Sequence, residues 1–176
     1  MKLNASKSLY ALVIFLALGA CGEPPAEHAA APSAGTTEPS MYHSLAQSGA
    51  VVDAEAARDM ISQYRRNNGL GGLELDERLQ AVAQSQAQAM ARHGSLDRAV
   101  RGSLKSRLDA AGLHASVSVE NVSAGYQTLA EAFSGWRQSA PHNARMLEAH
   151  ARRMGLATAY APGAKYKVYW ALILTD

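Results

Sequence analysis

YKVYWALILT, residues 166–175, places apolar side chains on both faces of an expected strand. Val168, Trp170, Leu172 and Leu174 alternate onto one side, and Tyr169, Ala171 and Ile173 onto the other. A strand with one wet face would alternate apolar with polar residues, so this strand is covered twice. Residues 154–160 form a second expected strand, joined to the first across Ala161-Pro162-Gly163. Two strands this close in sequence with a short turn between them imply an antiparallel hairpin. Helices must then lie on both sides of the sheet. The expected fold is α+β, a three-layer α-β-α sandwich with a central, mainly antiparallel sheet.

The upstream sequence supplies those helices. Asp53 is an expected N-cap for a helix to about Asn67, which would bury Ala57, Met60, Ile61 and Tyr64. Asp76 caps a second, burying Leu79, Val82, Ala83, Ala87 and Met90 and stopping at His93-Gly94, where glycine suits a left-handed residue. Ser103 caps a short helix over 104–111, ended by Gly112. Val117 and Val119 alternate with serines into Glu120-Asn121, as in a strand. Thr128-Leu-Ala-Glu131 matches a capping box, followed by Leu129, Ala132, Phe133 and Trp136 on one helical face. Pro141 stops that helix and suits the first turn of another, running through Leu147.

The N-terminus reads differently. Lys2 and Lys7 precede the apolar run from Leu9 to Leu18, a pattern expected of an export signal over residues 1–20. That run is too short for a comfortable membrane span. Leu18-Gly19-Ala20-Cys21 resembles a bacterial lipobox, and Cys21 is the sole cysteine in the chain, which rules out a disulfide within it. The expectation is a lipid-modified Cys21 held in a membrane by its acyl chains. Gly22 after the cysteine, in place of aspartate, implies by the same resemblance the outer membrane, on its periplasmic face. Residues 21–50 hold four of the six prolines among Ala, Ser, Thr and Glu and read as a disordered tether. The folded domain is expected over 51–176.

Composition excludes one function class. The formal charge of +2 comes from Lys2 and Lys7, since residues 1–20 hold no acid and the remainder balances. No basic run, basic–aromatic interleaving or phosphate-cradling glycine motif is present, so nucleic acid is not an expected partner.

The stretch from 120 to 142, ENVSAGYQTLAEAFSGWRQSAPH, brings a carboxylate and an imidazole to the two ends of one strand–helix unit. Glu120-Asn121, Ala124-Gly125-Tyr126, Trp136-x-x-Ser139-x-x-His142 and Met154-Gly155-Leu156-Ala157 together resemble the bacterial SCP-like branch of the CAP superfamily. That superfamily is named for cysteine-rich secretory, antigen 5 and pathogenesis-related proteins. The resemblance begins near Ala54, runs to the C-terminus, and independently implies the α-β-α sandwich. It further implies a cleft of two histidines and one or two glutamates that holds zinc in some members. Glu120 matches the glutamate of the family's Gly-Glu-Asn signature, with Val119 in place of the glycine, and His142 matches the later histidine. Counted from Met90, Arg98 stands where the earlier histidine normally lies. Ser139 replaces a second glutamate and Arg145 an asparagine.

Arginine neither deprotonates to bind a metal nor tolerates a cation beside it. Only Glu120 and His142 remain as ligands, with His93 a distant third, too few for the three or four that zinc takes. No cofactor is therefore expected, and Arg98 is expected to pair with Glu120. Three functions fit: a tethered, non-catalytic module binding a lipid or envelope ligand beside Arg98, Glu120, Ser139 and His142; an envelope hydrolase using Glu120 and His142 as acid and base; or a partner-binding lipoprotein with a vestigial cleft. No Gly-x-Ser-x-Gly, catalytic cysteine or HExxH supports the hydrolase, and Ser134 and Ser139 read as cap or surface hydroxyls. The binding module leads.

Overall fold

A computed structural model describes residues 38–176. The expected export signal, Cys21 and the first part of the tether lie outside them. Among these residues a 3-10 turn at Ser40–Tyr42 is followed by five α-helices and four strands: α1 (Ala54–Asn67), β1 (Glu74–Leu75), α2 (Glu77–His93), α3 (Leu104–Ala110), β2 (Ser118–Ala124), α4 (Leu129–Gln138), α5 (Ala140–Met146), β3 (Arg153–Tyr160) and β4 (Val168–Thr175). The sheet order is β1-β3-β4-β2, with β1 parallel to β3 and the other pairs antiparallel.

The expected double cover of the last strand is what the fold shows. Every residue of β4 is buried. Trp170, Leu172 and Leu174 pack with Ile61 of α1, Leu129 and Trp136 of α4, and Met146 of α5. Tyr169, Ala171 and Ile173 pack with Leu79, Val82, Ala83 and Met90 of α2 and Leu108 of α3. The layers are therefore α1/α4/α5, sheet, and α2/α3: the α-β-α sandwich. Trp136 and Trp170 meet edge to face at 6.0 Å. Each indole N–H finds an acceptor, Trp136 on Ser123 Oγ at 3.1 Å and Trp170 on the Tyr126 carbonyl at 2.9 Å.

Local chemistry sets the helix ends. Asp76 accepts from the Arg78 and Leu79 amides, and α2 stops at Gly94 with φ of 62°. The capping box at Thr128 and Glu131 is present as expected. α2 crosses β3 at Gly155, where a Cβ would collide with the backbone of Leu79 and Gln80. Gln80 fastens that crossing by accepting from the Leu156 amide at 2.9 Å and donating to its carbonyl.

Two expectations need correction. The buried stripe of α1 is Ala57, Ile61 and Arg65, four residues apart, while Met60 and Tyr64 sit half-buried on its flank. Arg65 is fully buried and donates to the carbonyls of Gly71, Met146, Glu148 and Ala151 at 2.8–3.1 Å. A guanidinium with five donors in a planar fork can gather several carbonyls that no helix or strand satisfies. The second correction concerns the tether, which does not extend to residue 50. Leu45 is buried in the core, its amide donates to the Gln127 carbonyl at 2.7 Å, and Ser40 Oγ donates to Asp53 at 2.6 Å. Segment composition hid this, because a single leucine in a polar run is enough to seat it.

Candidate functional site

β2 is an edge strand, so the sheet ends there with one helical layer on either side. Alternation along β2 sends neighbouring side chains to opposite layers. Glu120 lies opposite Ile173 and faces α3; Asn121 lies opposite Leu172 and faces α5. Asn121 Nδ2 donates to the His142 carbonyl at 3.0 Å and so fixes where the first turn of α5 sits against the strand.

The partner of Glu120 is Arg107, not Arg98. Nη2 of Arg107 lies 2.9 Å from both carboxylate oxygens, with side-chain exposures of 5% and 2%. Arg107 reaches it because α3 lies over β2 with Arg107 and Leu108 turned inward. Arg98 stands in an exposed loop whose carbonyl accepts from Gln86 Nε2 at 3.1 Å. The clue in the sequence was helical: Leu104 and Leu108 of α3, with Ala111 at its C-cap, mark an inward stripe, and Arg107 adjoins it. A carboxylate that goes into a core needs a cation from some such flank.

The charges at this edge are mostly positive. Burial pushes the Glu120 carboxyl above the usual carboxylate range, while Arg107, Arg98 and Arg145 pull it back down. Burial holds the His142 imidazole below its ordinary range, and Arg145 and Arg98 add to that effect. His142 is half-buried on α5, with Arg145 three residues on. No hydrogen bond joins Glu120 to His142 among the described residues. Ser139 links α4 to α5 through its backbone, its amide donating to Gly135 at 3.1 Å and its carbonyl accepting from Asn143 at 2.8 Å. His93, the distant third candidate, is exposed at the end of α2 and lines a separate hollow of about 520 Å³ with Tyr160 and Pro162.

The family's zinc chemistry can be weighed against this geometry. Among the described residues no three of His, Cys, Asp and Glu come together. Both oxygens of Glu120 face Arg107, and two further arginines act on the site. Such a donor set does not fit zinc, which takes three or four neutral or anionic ligands.

A groove opens between α1 and α4 on the other helical layer. It is lined by Met41, Met60, Tyr64, Phe133 and Arg137 among others, and holds about 410 Å³. Tyr64 and Phe133 meet edge to face at 5.6 Å, and the Arg137 guanidinium lies 5.3 and 5.6 Å from the two ring centres. Tyr64 Oη donates to Asn143 Oδ1 at 2.8 Å, which ties the groove wall to α5. The flank of α1 that the sequence assigned to the core thus forms a surface hollow.

Several solved structures share this architecture. An extracellular protein containing an SCP domain from Bacillus anthracis is 19% identical with a TM-score of 0.61, over 69% of this chain and 39% of that one. A cysteine-rich secretory protein from Staphylococcus aureus is 17% identical at a TM-score of 0.58, over 69% of this chain and 37% of that one. An outer surface protein from Borrelia burgdorferi is 17% identical at a TM-score of 0.63, over 70% of this chain and 92% of that one. The chain thus spans about two fifths of the first two proteins and nearly all of the third. No curated protein matches the chain. The model of the cysteine-rich secretory protein family matches residues 58–174, and with that match the chain belongs to the CAP family.

Proposed function

We propose that this protein is a cell-envelope lipoprotein whose CAP domain binds, without catalysis, a lipid or another apolar envelope ligand. The observation that carries this reading is the Arg107–Glu120 pair. It occupies both oxygens of the carboxylate that would otherwise serve as base or metal ligand. A general base must reach the proton it removes, and this one is buried against a cation. The same pair, with Arg98 and Arg145 nearby, supports a site without zinc.

The groove between α1 and α4 is the candidate ligand site. Its size falls in the range of about 300–1,000 Å³ usual for small-molecule pockets, and Met41, Met60, Tyr64 and Phe133 give it apolar walls. The expected lipid on Cys21 would bring the domain to a membrane, on the periplasmic face of the outer membrane if Gly22 directs it there. The extracellular and outer-surface descriptions of two structural neighbours support an envelope location.

The test is native mass spectrometry of the full chain bearing Cys21→Ser, exported and purified without detergent. An added mass in the lipid range, lost on denaturation and absent from Met60→Asp, is the expected result. A bare polypeptide mass, or an adduct indifferent to Met60→Asp, overturns the reading. One tightly held zinc per chain overturns the metal-free site. One observation favours a hydrolase as the second reading: Glu120 is shifted up and His142 down, the directions that suit an acid and a base. Loss of an envelope-hydrolysing activity in a folded Glu120→Gln variant would establish it.

A further inference from the structure

The opposite helical layer carries a second hollow, of about 390 Å³, between α2 and α3. Its walls are Arg78, Ala81, Val82 and Ser85 from α2, with Arg101, Ser106, Arg107, Ala110 and Ala111. Three of these residues are cations and none is an acid. Arg78 and Arg101 are exposed and pair with no carboxylate among the described residues. The Arg78 guanidinium makes only a long contact, 3.5 Å, to the Gly112 carbonyl.

Arg107 is the informative member. It is 7% exposed, and its Nη2 is committed to Glu120. Its Nε and Nη1 are buried and have no hydrogen-bond partner. Buried donors on a charged group are costly to leave unpaired, so an acceptor entering beside them would be bound strongly. Glu120 offsets one positive charge of the three and leaves the hollow with a surplus. Ala81, Val82, Ala110 and Ala111 add small apolar surface to the same wall.

We infer that this hollow is a binding site for a small anionic amphiphile. Its carboxylate or phosphate would be held by Arg107 with Arg101 and Arg78, and its short apolar part would lie on Val82 and the alanines. The volume suits one short chain and not a diacyl lipid. This site is independent of the α1/α4 groove, because the sheet separates the two layers.

Isothermal titration calorimetry on the full chain, with decanoate, decyl phosphate, inorganic phosphate and decanol as separate titrants, tests the inference. Decanoate or decyl phosphate should bind saturably, with affinity falling as salt rises. Decanol and inorganic phosphate should each bind at least tenfold more weakly. Arg78→Gln with Arg101→Gln should weaken the amphiphile at least tenfold, and Ala81→Asp should abolish binding; all three positions are exposed and none belongs to the core or to the Arg107–Glu120 pair, so the fold is kept and circular dichroism checks it. Met60→Asp should change nothing, which separates this site from the α1/α4 groove. No saturable binding overturns the inference, as does binding indifferent to the α2/α3 variants. Inorganic phosphate binding as tightly as decyl phosphate would overturn the amphiphile and leave a free-anion site.

Discussion

Arg65 and Arg107 are both taken out of water, and the fold accommodates them differently. Arg65 is surrounded by four carbonyls, whereas Arg107 meets one carboxylate. Replacing Arg65 with Met should cost about 3 kcal/mol or more, because the loop between α5 and β3 loses the donors for its carbonyls; urea denaturation measures it. Glu120→Gln should cost about 3–5 kcal/mol by leaving Arg107 buried without its counter-charge, while the double variant Arg107→Met with Glu120→Leu should recover most of that loss. His142 adds a pH dependence. Its folded-state pKa is lowered, so it contributes stability above the ordinary imidazole range that is lost as pH falls through the folded value. Stability should decline on acidification below about pH 7, and His142→Gln should flatten that slope.

The elements show where local pattern suffices and where it stops. Asp53, Asp76 and Thr128 were legible as caps because a cap is decided within three or four residues. The inward face of α1 was not, since Met60 and Tyr64 are as apolar in pattern as Ala57 and Ile61 and only packing distinguishes them. Gly155 belongs to the same class of information. Its position in a strand was legible, but the passage of α2 over it was not. Gly155→Ala should therefore destabilise by about 3 kcal/mol, at the upper end of ordinary overpacking, because the atoms met are backbone and cannot swing aside. Differential scanning calorimetry would show it as a lowered Tm with the sheet otherwise intact.

At the scale of the molecule, the domain begins before its first helix. Leu45 fills a place in the core beside α4, so Leu45→Ala should cost about 2–5 kcal/mol, and a chain beginning at Val51 should be correspondingly less stable than one beginning at Glu38. Equal denaturation midpoints would refute that. The sandwich itself was readable from β4 alone, because apolar residues on both faces of a strand require two covers wherever the covers come from. The presence of Glu120, Asn121 and His142 in one strand–helix unit was equally plain from their spacing. Which cation answers Glu120, which carbonyls Arg65 collects, and which side of α1 is wet were settled only by tertiary structure. Caps and periodicity act over a few residues of chain, but a buried charge takes whichever counter-charge the packing delivers. Here the packing of α3 on β2 delivered Arg107 and left Arg98 in solvent.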